Sequence, residues 1–258
     1  MAGTEPYPGT QAVLRAMALL KAFTDAQPEI GLSELARAVK LNKTTAYRML
    51  TALESEGFVS KNRATESYRL GPEAIALGGR AMRANDLRAA SRSELEALAQ
   101  ATTETASLET LIDRDMLVLD EVIGGHVLGA AQHIGARWPA HATSTGKAIL
   151  AFLPESESNA FLRGALLKST NNTITTQTAM RRELTRIREQ SYAVATEELE
   201  DGFTAIGAPV FNHDGKAVAA ISVGGPSARL TSDRISQIAE RVVSAAKAVS
   251  QKLGYRER

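Results

Sequence analysis

Apolar residues at helical spacing predict short helices in the first quarter of the chain. In residues 11–25 the side chains of Val13, Met17 and Leu20 fall on one face, which Leu19 and Phe23 extend, so this segment is expected to form an amphipathic helix. A short second helix should follow, because Ser33 is a suitable N-cap residue ahead of further apolar positions.

A third helix is expected at residues 43–55, with Asn42 as its N-cap and Gly57 just beyond its end. Its predicted buried positions are Ala46, Met49, Leu50 and Leu53. After this helix, alternating apolar and polar residues at 58–60 and 67–70 predict a small β-hairpin. Helices followed by a hairpin in this order are typical of a winged helix-turn-helix domain, which favours DNA binding.

The pattern changes beyond the hairpin. Alanine-rich helices are predicted at 72–83 and 87–102, and their small residues suggest a connector and a contact between two copies of the chain. From residue 105 onward, alternating segments predict strands with helices between them. The predicted strands are 106–112, 116–122, 126–131, 205–211 and 216–223, and the predicted helices are 144–153, 156–164, 179–190 and 232–252. An antiparallel sheet with helices packed on it makes this an α+β domain.

Composition narrows the class of protein. The chain has 258 residues and no cysteine, which excludes disulfides and thiolate sites and suits a reducing cytoplasm. The first residues lack the basic and apolar regions of a signal peptide. No apolar run approaches the length of a membrane helix. A cytoplasmic protein without a membrane-spanning segment is therefore expected.

Charge is segregated along the chain, although the net charge is only +1. Residues 37–69 contain seven lysines and arginines and three acids, so this window carries +4 and the remainder about −3. The positively charged segment of the sequence therefore coincides with the predicted DNA-binding domain.

The exposed face of the third helix has the composition of a recognition helix. Hydroxyl, aromatic and cationic side chains fill its first two turns, where such a helix meets base edges and phosphates. A merely solvated face is the alternative, but such faces usually mix glutamate with lysine. The basic hairpin tip is placed to meet the DNA backbone. The candidate DNA-binding residues are Ser33, Asn42, Lys43, Thr44, Thr45, Tyr47, Arg48, Lys61, Arg63 and Arg69.

Several longer runs carry a family resemblance. They are LSELARAVKLNKTTAYRML (32–50), LESEGFV (53–59), YRLG (68–71), PAHATSTGKAILA (139–151), EELEDGFTAIGAPVF (197–211) and AAISVGGPSARLT (219–231). In this order and spacing the chain resembles the IclR family of bacterial transcriptional regulators, from about residue 12 to 255. The resemblance implies a winged helix-turn-helix domain at 1–72, a helical linker at 73–90 and a GAF-like effector-binding domain at 91–258.

The same resemblance implies a function. Members of the family act as dimers, or dimers of dimers, on palindromic operators in double-stranded DNA. Most are repressors, some are activators, and their effectors are small metabolites, often carboxylates or aromatics. We therefore expect a repressor of a catabolic operon that is released from DNA by a small organic acid, such as an aromatic acid.

The family's effector pocket can be carried over residue by residue. It implies effector contacts at Trp138, His141, Ala142, Thr143, Thr145, Gly146, Phe203, Ala205, Ser222 and Gly224. The start of the predicted helix at 144 would favour an anion such as a carboxylate. Ala205, Gly224 and Ala195 stand where relatives that sense small oxo-acids often carry cysteine, serine and an acid. These changes suggest a larger, less polar ligand, although they could also only repack the sheet.

Other kinds of site were weighed against these. Residues 144–147 (STGK) lack the earlier glycine and the following hydroxyl of a nucleotide loop. The four histidines show no zinc-binding spacing, although a metal at His141 in the ligand pocket is an open alternative. The acids at 197, 198, 200 and 201 are either paired catalytic carboxylates or a solvated or salt-bridged edge. No catalytic residue, cofactor or resident metal is expected, and the alternative function is an enzyme of small aromatic-acid metabolism with an appended helical domain.

Overall fold

The computed structural model describes residues 10–125 and 134–256. The chain divides into two compact units, Met1–Ala84 and Asn85–Arg258. The boundary falls inside the segment predicted as a linker, so the helix before residue 84 belongs to the first unit and the helix after it to the second. The strand predicted at 126–131 lies outside the described residues.

The first unit is a small helical domain with a three-stranded sheet. Its elements are α1 (Gln11–Lys21), β1 (Glu29–Gly31), α2 (Leu32–Ala38), α3 (Lys43–Ser55), β2 (Val59–Asn62), β3 (Ser67–Leu70) and α4 (Pro72–Arg83). The sheet is antiparallel in the order β1-β3-β2. Its buried core consists of Leu19, Ile30, Leu35, Leu50, Val59 and Tyr68. These helices followed by a hairpin form the predicted winged helix-turn-helix.

Local signals set the limits of α3 as predicted. The Asn42 side chain accepts a hydrogen bond from the Thr45 amide at 2.8 Å, which satisfies one of the free amides of the first turn. At the other end Gly57 takes a positive φ of 73°, and the Phe58 amide returns to the Leu53 carbonyl at 2.8 Å. Ala46 and Leu50 are fully buried, whereas Met49 and Leu53 are only partly so.

Two details of the first unit differ from the sequence prediction. Helix α2 already begins at Leu32 with Gly31 in the N-cap position, so the assignment of Ser33 as N-cap is wrong; Ser33 is an exposed residue of the first turn. Val13 and Met17 are 58% and 46% exposed, so within this unit the first half of the predicted apolar face of α1 is not buried. The later part of the predicted face is confirmed, since Leu19 near the C-terminal end of α1 is buried in the core and Leu20 and Phe23 pack against it.

In the part of the second unit that the structure describes, six strands form an antiparallel sheet in the order β6-β5-β4-β9-β8-β7. The strands are β4 (Thr105–Ile112), β5 (Asp115–Val122), β6 (Arg137–Pro139), β7 (Ala193–Thr196), β8 (Phe203–Phe211) and β9 (Ala217–Pro226). The helices are α5 (Asp86–Thr102), α6 (Ser144–Phe152), α7 (Glu155–Arg163), α8 (Gln177–Gln190) and α9 (Ser232–Lys252). The α+β class is confirmed, and none of the helices described in either unit is long and apolar enough to cross a membrane.

The two faces of this sheet bury different layers. Alternate residues of the central strands, such as Leu108, Ile221 and Ile206, pack with α5 and α9 in one core. On the opposite face α6 and α8 form a second core with Met116 and Ala220. Because neighbouring strand residues point to opposite faces, Thr105, Ser107 and Glu109 of β4 and Ser222 of β9 lie on the α6 side.

Candidate effector cavity and DNA-binding surface

Strand register brings a row of polar residues together on the α6 side of the sheet. Ser107 of β4 lies opposite Glu121 of β5 and Ser222 of β9, and Ser222 in turn lies opposite Gly207 of β8. A neighbouring row pairs Thr105 with Gly224, Gly224 with Ala205 and Ala205 with Ala195. These rows form the floor of a cavity of about 700 Å³, which also contacts the first turn of α6 and the segment 199–203.

Most of the residues predicted to bind an effector line this cavity. They are Trp138, Ala142, Thr143, Thr145, Phe203, Ala205, Ser222 and Gly224. At Gly224 the room left by the missing side chain is filled, because an added Cβ would lie 2.7 Å from Cζ of the Phe203 ring. The glycine therefore accommodates an aromatic wall and does not enlarge the cavity at that point.

His141 and Gly146 are not among the lining residues. His141 is 4% exposed, and its Nε2 lies 2.8 Å from the Leu167 carbonyl oxygen. Burial lowers the pKa of this imidazole, and the hydrogen bond with the Leu167 carbonyl acts in the opposite direction. Gly146 packs against the preceding turn, where an added Cβ would lie 2.0 Å from the Ala140 carbonyl oxygen. Both residues therefore lie behind the residues that line the cavity, and neither contacts the cavity itself.

A buried hydrogen-bond network on the cavity floor centres on Glu109, which is not among the site residues predicted from the sequence. Thr145 Oγ1 donates to Glu109 Oε2 at 2.6 Å, and Ser107 Oγ donates to Glu109 Oε1 at 3.0 Å. The Ser107 and Ser222 hydroxyl oxygens are 2.8 Å apart. Burial raises the pKa of Glu109, the two hydroxyl donors oppose this shift, and the nearby Glu121 carboxylate adds to it.

The cavity is acidic. Glu109 and Glu121 are buried on its floor, whereas Glu200 and Asp201 are exposed at its edge. Within the described residues, no lysine, arginine or histidine lines it. The acids at 200 and 201 belong to the cluster that the sequence left open between catalytic carboxylates and a solvated edge; the structure places them beside the cavity and exposed to solvent.

A buried ion pair fixes the segment that walls the cavity. Lys147 Nζ lies 2.5 Å from Glu198 Oε1, 3.1 Å from Glu183 Oε1 and 2.8 Å from the Val194 carbonyl oxygen. The lysine side chain is fully buried. Burial raises the pKa of Glu198, although the neighbouring Lys147 acts in the opposite direction. Burial would also raise the pKa of Glu183, but the hydrogen bonds from Arg186 and the charge of Lys147 outweigh it, so the pKa of Glu183 is lowered. Lys147 is thus committed to internal partners, which excludes it as a nucleotide-binding lysine.

The first turn of α6 is pressed against the sheet. Thr143 caps the helix by accepting a hydrogen bond from the Gly146 amide at 3.1 Å. Strand β8 carries Gly207 beneath this turn, and an added Cβ there would lie 2.9 Å from the Thr145 amide nitrogen. The close approach explains the glycine and leaves little space between the helix start and β8.

The candidate DNA-binding residues are distributed over α2, α3 and the hairpin. On α3 the side chains of Lys43, Thr44, Tyr47 and Arg48 are exposed, and Thr45 is partly buried. Asn42 contributes as the helix cap. In the hairpin Arg63 and Arg69 are exposed, but Lys61 forms an ion pair with Glu66, so its charge is already balanced within the hairpin. Lys61 also lies 5.9 Å from the centre of the Tyr68 ring.

No group of three or more metal-ligating side chains occurs in the described parts of the chain, and His141 is held by a backbone carbonyl.

Comparisons with known proteins agree with both units. Residues 12–63 match the IclR helix-turn-helix domain, and residues 79–251 match the bacterial transcriptional regulator IclR C-terminal domain. The chain belongs to the IclR family of transcriptional regulators. It is 30% identical over 249 residues to the HTH-type transcriptional regulator XynR of Escherichia coli, covering 96% of this chain and 99% of that protein.

Solved structures of the IclR family share the fold. An IclR transcriptional regulator from Alicyclobacillus acidocaldarius is 31% identical, with a TM-score of 0.85 over 93% of this chain and 97% of that one. An IclR homologue of Microbacterium hydrocarbonoxydans, solved as a complex with 4-hydroxybenzoate, is 23% identical, with a TM-score of 0.81 over 94% of this chain and 98% of that one. Membership in the IclR family makes this protein a ligand-responsive, DNA-binding transcriptional regulator, not an enzyme.

Proposed function

We propose that this protein is a cytoplasmic repressor of a catabolic operon, and that a small organic effector with an aromatic body releases it from DNA by binding in the cavity of the second unit. The observation that carries the proposal is the cavity of about 700 Å³, walled in part by Trp138 and Phe203 and floored by a hydrogen-bonding network. A volume of this size suits a small molecule with an apolar body and a few polar groups.

The 4-hydroxybenzoate bound by the Microbacterium homologue supports an aromatic body in a protein of the same fold. The proposed effector need not carry the carboxylate that the sequence predicts. The described lining residues include four acids and no basic side chain to receive an anion.

For the DNA-binding step, helix α3 would enter the major groove of a palindromic operator and the hairpin would contact the backbone. The exposed Lys43, Tyr47 and Arg48 near the start of α3 support this assignment, because a recognition helix presents its first turns to the bases. Ser33, Arg63 and Arg69 remain candidates for phosphate contacts.

A homodimer or a dimer of dimers would place two such helices on the two half-sites. Exposed apolar side chains in the first unit support association between copies: Val13 and Met17 on α1, and Ile75 and Leu77 on α4. Helix α4 has no buried residue at all within the chain. Effector binding would shift the relative placement of the two DNA-binding domains in the dimer, so that they no longer match the spacing of the half-sites.

The first experiment measures binding of the full-length protein to the DNA upstream of its own gene by fluorescence anisotropy. Arg48→Ala should weaken binding by roughly 5- to 150-fold, which corresponds to the loss of about 1–3 kcal/mol for a base contact. Arg83→Ala in α4 removes an exposed cation of the same unit and should leave the affinity close to that of the wild type. Absence of specific binding by the wild type would overturn the proposal, and unchanged affinity of Arg48→Ala would overturn the assignment of α3.

A reporter assay tests repression and its release. Loss of the gene should raise transcription from the bound promoter, whereas a fall would indicate an activator. Ser222→Trp fills the cavity floor beside Ser107 and should retain DNA affinity while losing the response to effector. A normal response in this variant would place the effector elsewhere.

A further inference from the structure

Strand β5 contains a β-bulge beside the cavity. Val118 and Asp120 lie opposite consecutive residues of β4, so Leu119 between them is the extra residue of the bulge. A bulge changes the direction of the side chains that follow it, and here it reverses their alternation. Val118 and Glu121 therefore both line the cavity, whereas the side chain of Asp120 points to α5 on the opposite face of the sheet.

Asp120 is fully buried and holds the first turns of α5. Its Oδ1 accepts hydrogen bonds from Arg88 Nη2 and Arg92 Nη1, each at 3.2 Å, and from the Glu121 amide at 3.0 Å. The two arginine side chains are partly exposed, so they reach the carboxylate from the surface. A single carboxylate on the back of the cavity floor thus binds two cations of one helix.

Helix α5 receives the chain from the first unit. The second unit begins at Asn85, whose side chain caps α5 by accepting a hydrogen bond from the Arg88 amide at 3.1 Å. Arg88 and Arg92 are one turn apart near this end, so Asp120 fixes the start of the helix. A displacement of Asp120 therefore acts on the end of α5 to which the DNA-binding unit is attached.

The contact between Asp120 and α5 uses only half of the carboxylate. All three donors bind Oδ1, and among the described residues the buried Oδ2 has no hydrogen-bond partner. The buried Nε of Arg88 is unpaired in the same sense. Since a guanidinium can bind both oxygens of a carboxylate, the same side chains can form a second, bidentate arrangement. Unpaired buried polar atoms are costly, so the observed arrangement has no large advantage over the second one.

We propose that Asp120 is a positioning residue that couples the effector cavity to the DNA-binding unit. A ligand in contact with Val118 or Glu121 displaces the bulge, Asp120 changes its hydrogen bonds to Arg88 and Arg92, and the start of α5 moves. The two sites are connected physically, because one short segment of β5 carries both the cavity lining and the contact with α5. This inference rests on the proposed function, since it names the contact through which the effector acts.

The only tryptophan of the chain, Trp138, makes the coupling measurable without a known effector. It lines the cavity and lies opposite Met116 of β5. Coupling between two sites is reciprocal, so binding of DNA must alter the cavity if the cavity controls binding of DNA. Acrylamide quenching of Trp138 fluorescence is therefore measured in the full-length protein, with and without the DNA upstream of its own gene.

We expect this DNA to change the quenching constant of the wild type. Asp120→Asn keeps the Oδ1 acceptor but removes the charge, so the variant should still bind DNA and lose the change in quenching. Lys252→Met is the matched control, because Lys252 holds α5 from α9 through Ala90, Ser93 and Glu94 and not from β5. This control should keep the wild-type response.

A second variant, Arg88→Gln combined with Arg92→Gln, breaks the same contact from the side of α5. It should also lose the response, and it maintains the test if Asp120→Asn does not fold. The inference would be overturned by a wild-type protein whose quenching does not change when DNA binds, or by a wild-type response in either folded variant. Loss of the response in Lys252→Met would overturn it as well, because any loosening of α5 would then suffice.

Failure of the proposed function can be recognised separately. If the upstream DNA is not bound at all, that function fails, and the quenching constants without DNA then test the contact by itself. Changing Arg88 and Arg92 on one face of the sheet should alter the quenching of Trp138 on the other, whereas Lys252→Met should not. Equal constants in the wild type and in the arginine variant would overturn the coupling.

Discussion

Replacing Lys147 by methionine should strongly destabilise the second unit. The lysine is fully buried, and its ammonium group contacts Glu198, Glu183 and the Val194 carbonyl at 2.5, 3.1 and 2.8 Å. Methionine fills most of the volume but leaves two acids without their shared cation. Glu198 has only 9% of its side chain exposed, so water cannot fully replace the lost partner.

The expected cost follows from this burial. Breaking a buried ion pair by removing one partner typically costs about 3–5 kcal/mol, because the remaining charge stays desolvated. For a unit spanning residues 85–258 this corresponds to a fall in Tm of roughly 6–20 °C. Burial already raises the pKa of Glu198, so this carboxyl can take up a proton once the lysine is gone. Protonation limits the loss and favours the lower part of the range.

Thermal unfolding of the full chain, followed by circular dichroism at pH 7.5, measures the effect. Lys168→Met is the matched control, since Lys168 is exposed and bonds only to Asn171 among the contacts described; its Tm should move by about 1–2 °C at most. Adding Glu198→Gln to Lys147→Met should recover part of the loss, because it removes one of the stranded charges. A Tm change below about 2 °C for Lys147→Met would contradict the reasoning.

Three further variants test other parts of the structure. Asn42→Ala should destabilise the first unit by about 1 kcal/mol in thermal unfolding, because the cap of α3 is lost, and Asn42→Asp should restore it; equal stability of all three would refute the cap. Gly207→Ala should cost about 1–3 kcal/mol, since the new Cβ would lie 2.9 Å from the Thr145 amide nitrogen, whereas Gly78→Ala, with nothing within 4 Å, should be neutral or stabilising. In Glu109→Gln the effect depends on pH. Burial raises the pKa of Glu109 above its value in the unfolded chain, so the ionised group opposes folding increasingly as the pH rises through the folded-state pKa. The variant should thus gain more stability over wild type at pH 8 than at pH 4, as judged by Tm, and equal gains would argue against a buried, ionisable carboxyl.

Elements with strong local signals could be predicted closely from the sequence. Helix α3 has a capping asparagine before it and a glycine after it, and both act at short range, so its predicted bounds agree with the structure. The long helix α9 ends where its apolar periodicity ends. The hairpin β8–β9 was located by the Asp-Gly turn at 214–215, although both strands extend further than predicted.

The features that were predicted wrongly or missed depend on contacts between residues far apart in the sequence. Strands β1 and β7 have three and four residues, too few for periodicity, and exist because β3 and β8 offer them an edge. The apolar face of α1 has the correct period, but within this chain only its end reaches the core, so Val13 stays exposed. Periodicity shows that a face is apolar and does not say whether the same chain covers it.

Glu109 was missed for a related reason, although the sequence contains a usable signal. Thr105, Ser107 and Glu109 are polar residues at alternate positions, with apolar Ala106 and Leu108 between them. In an edge strand this pattern would indicate a face in water. Strand β4 is instead paired on both sides, and all three polar residues are buried. A buried polar face on a central strand needs partners, because unpaired polar groups are costly in the interior. Here the need is met by Thr145, which donates to Glu109, and by Ser222, whose hydroxyl lies within hydrogen-bond distance of that of Ser107.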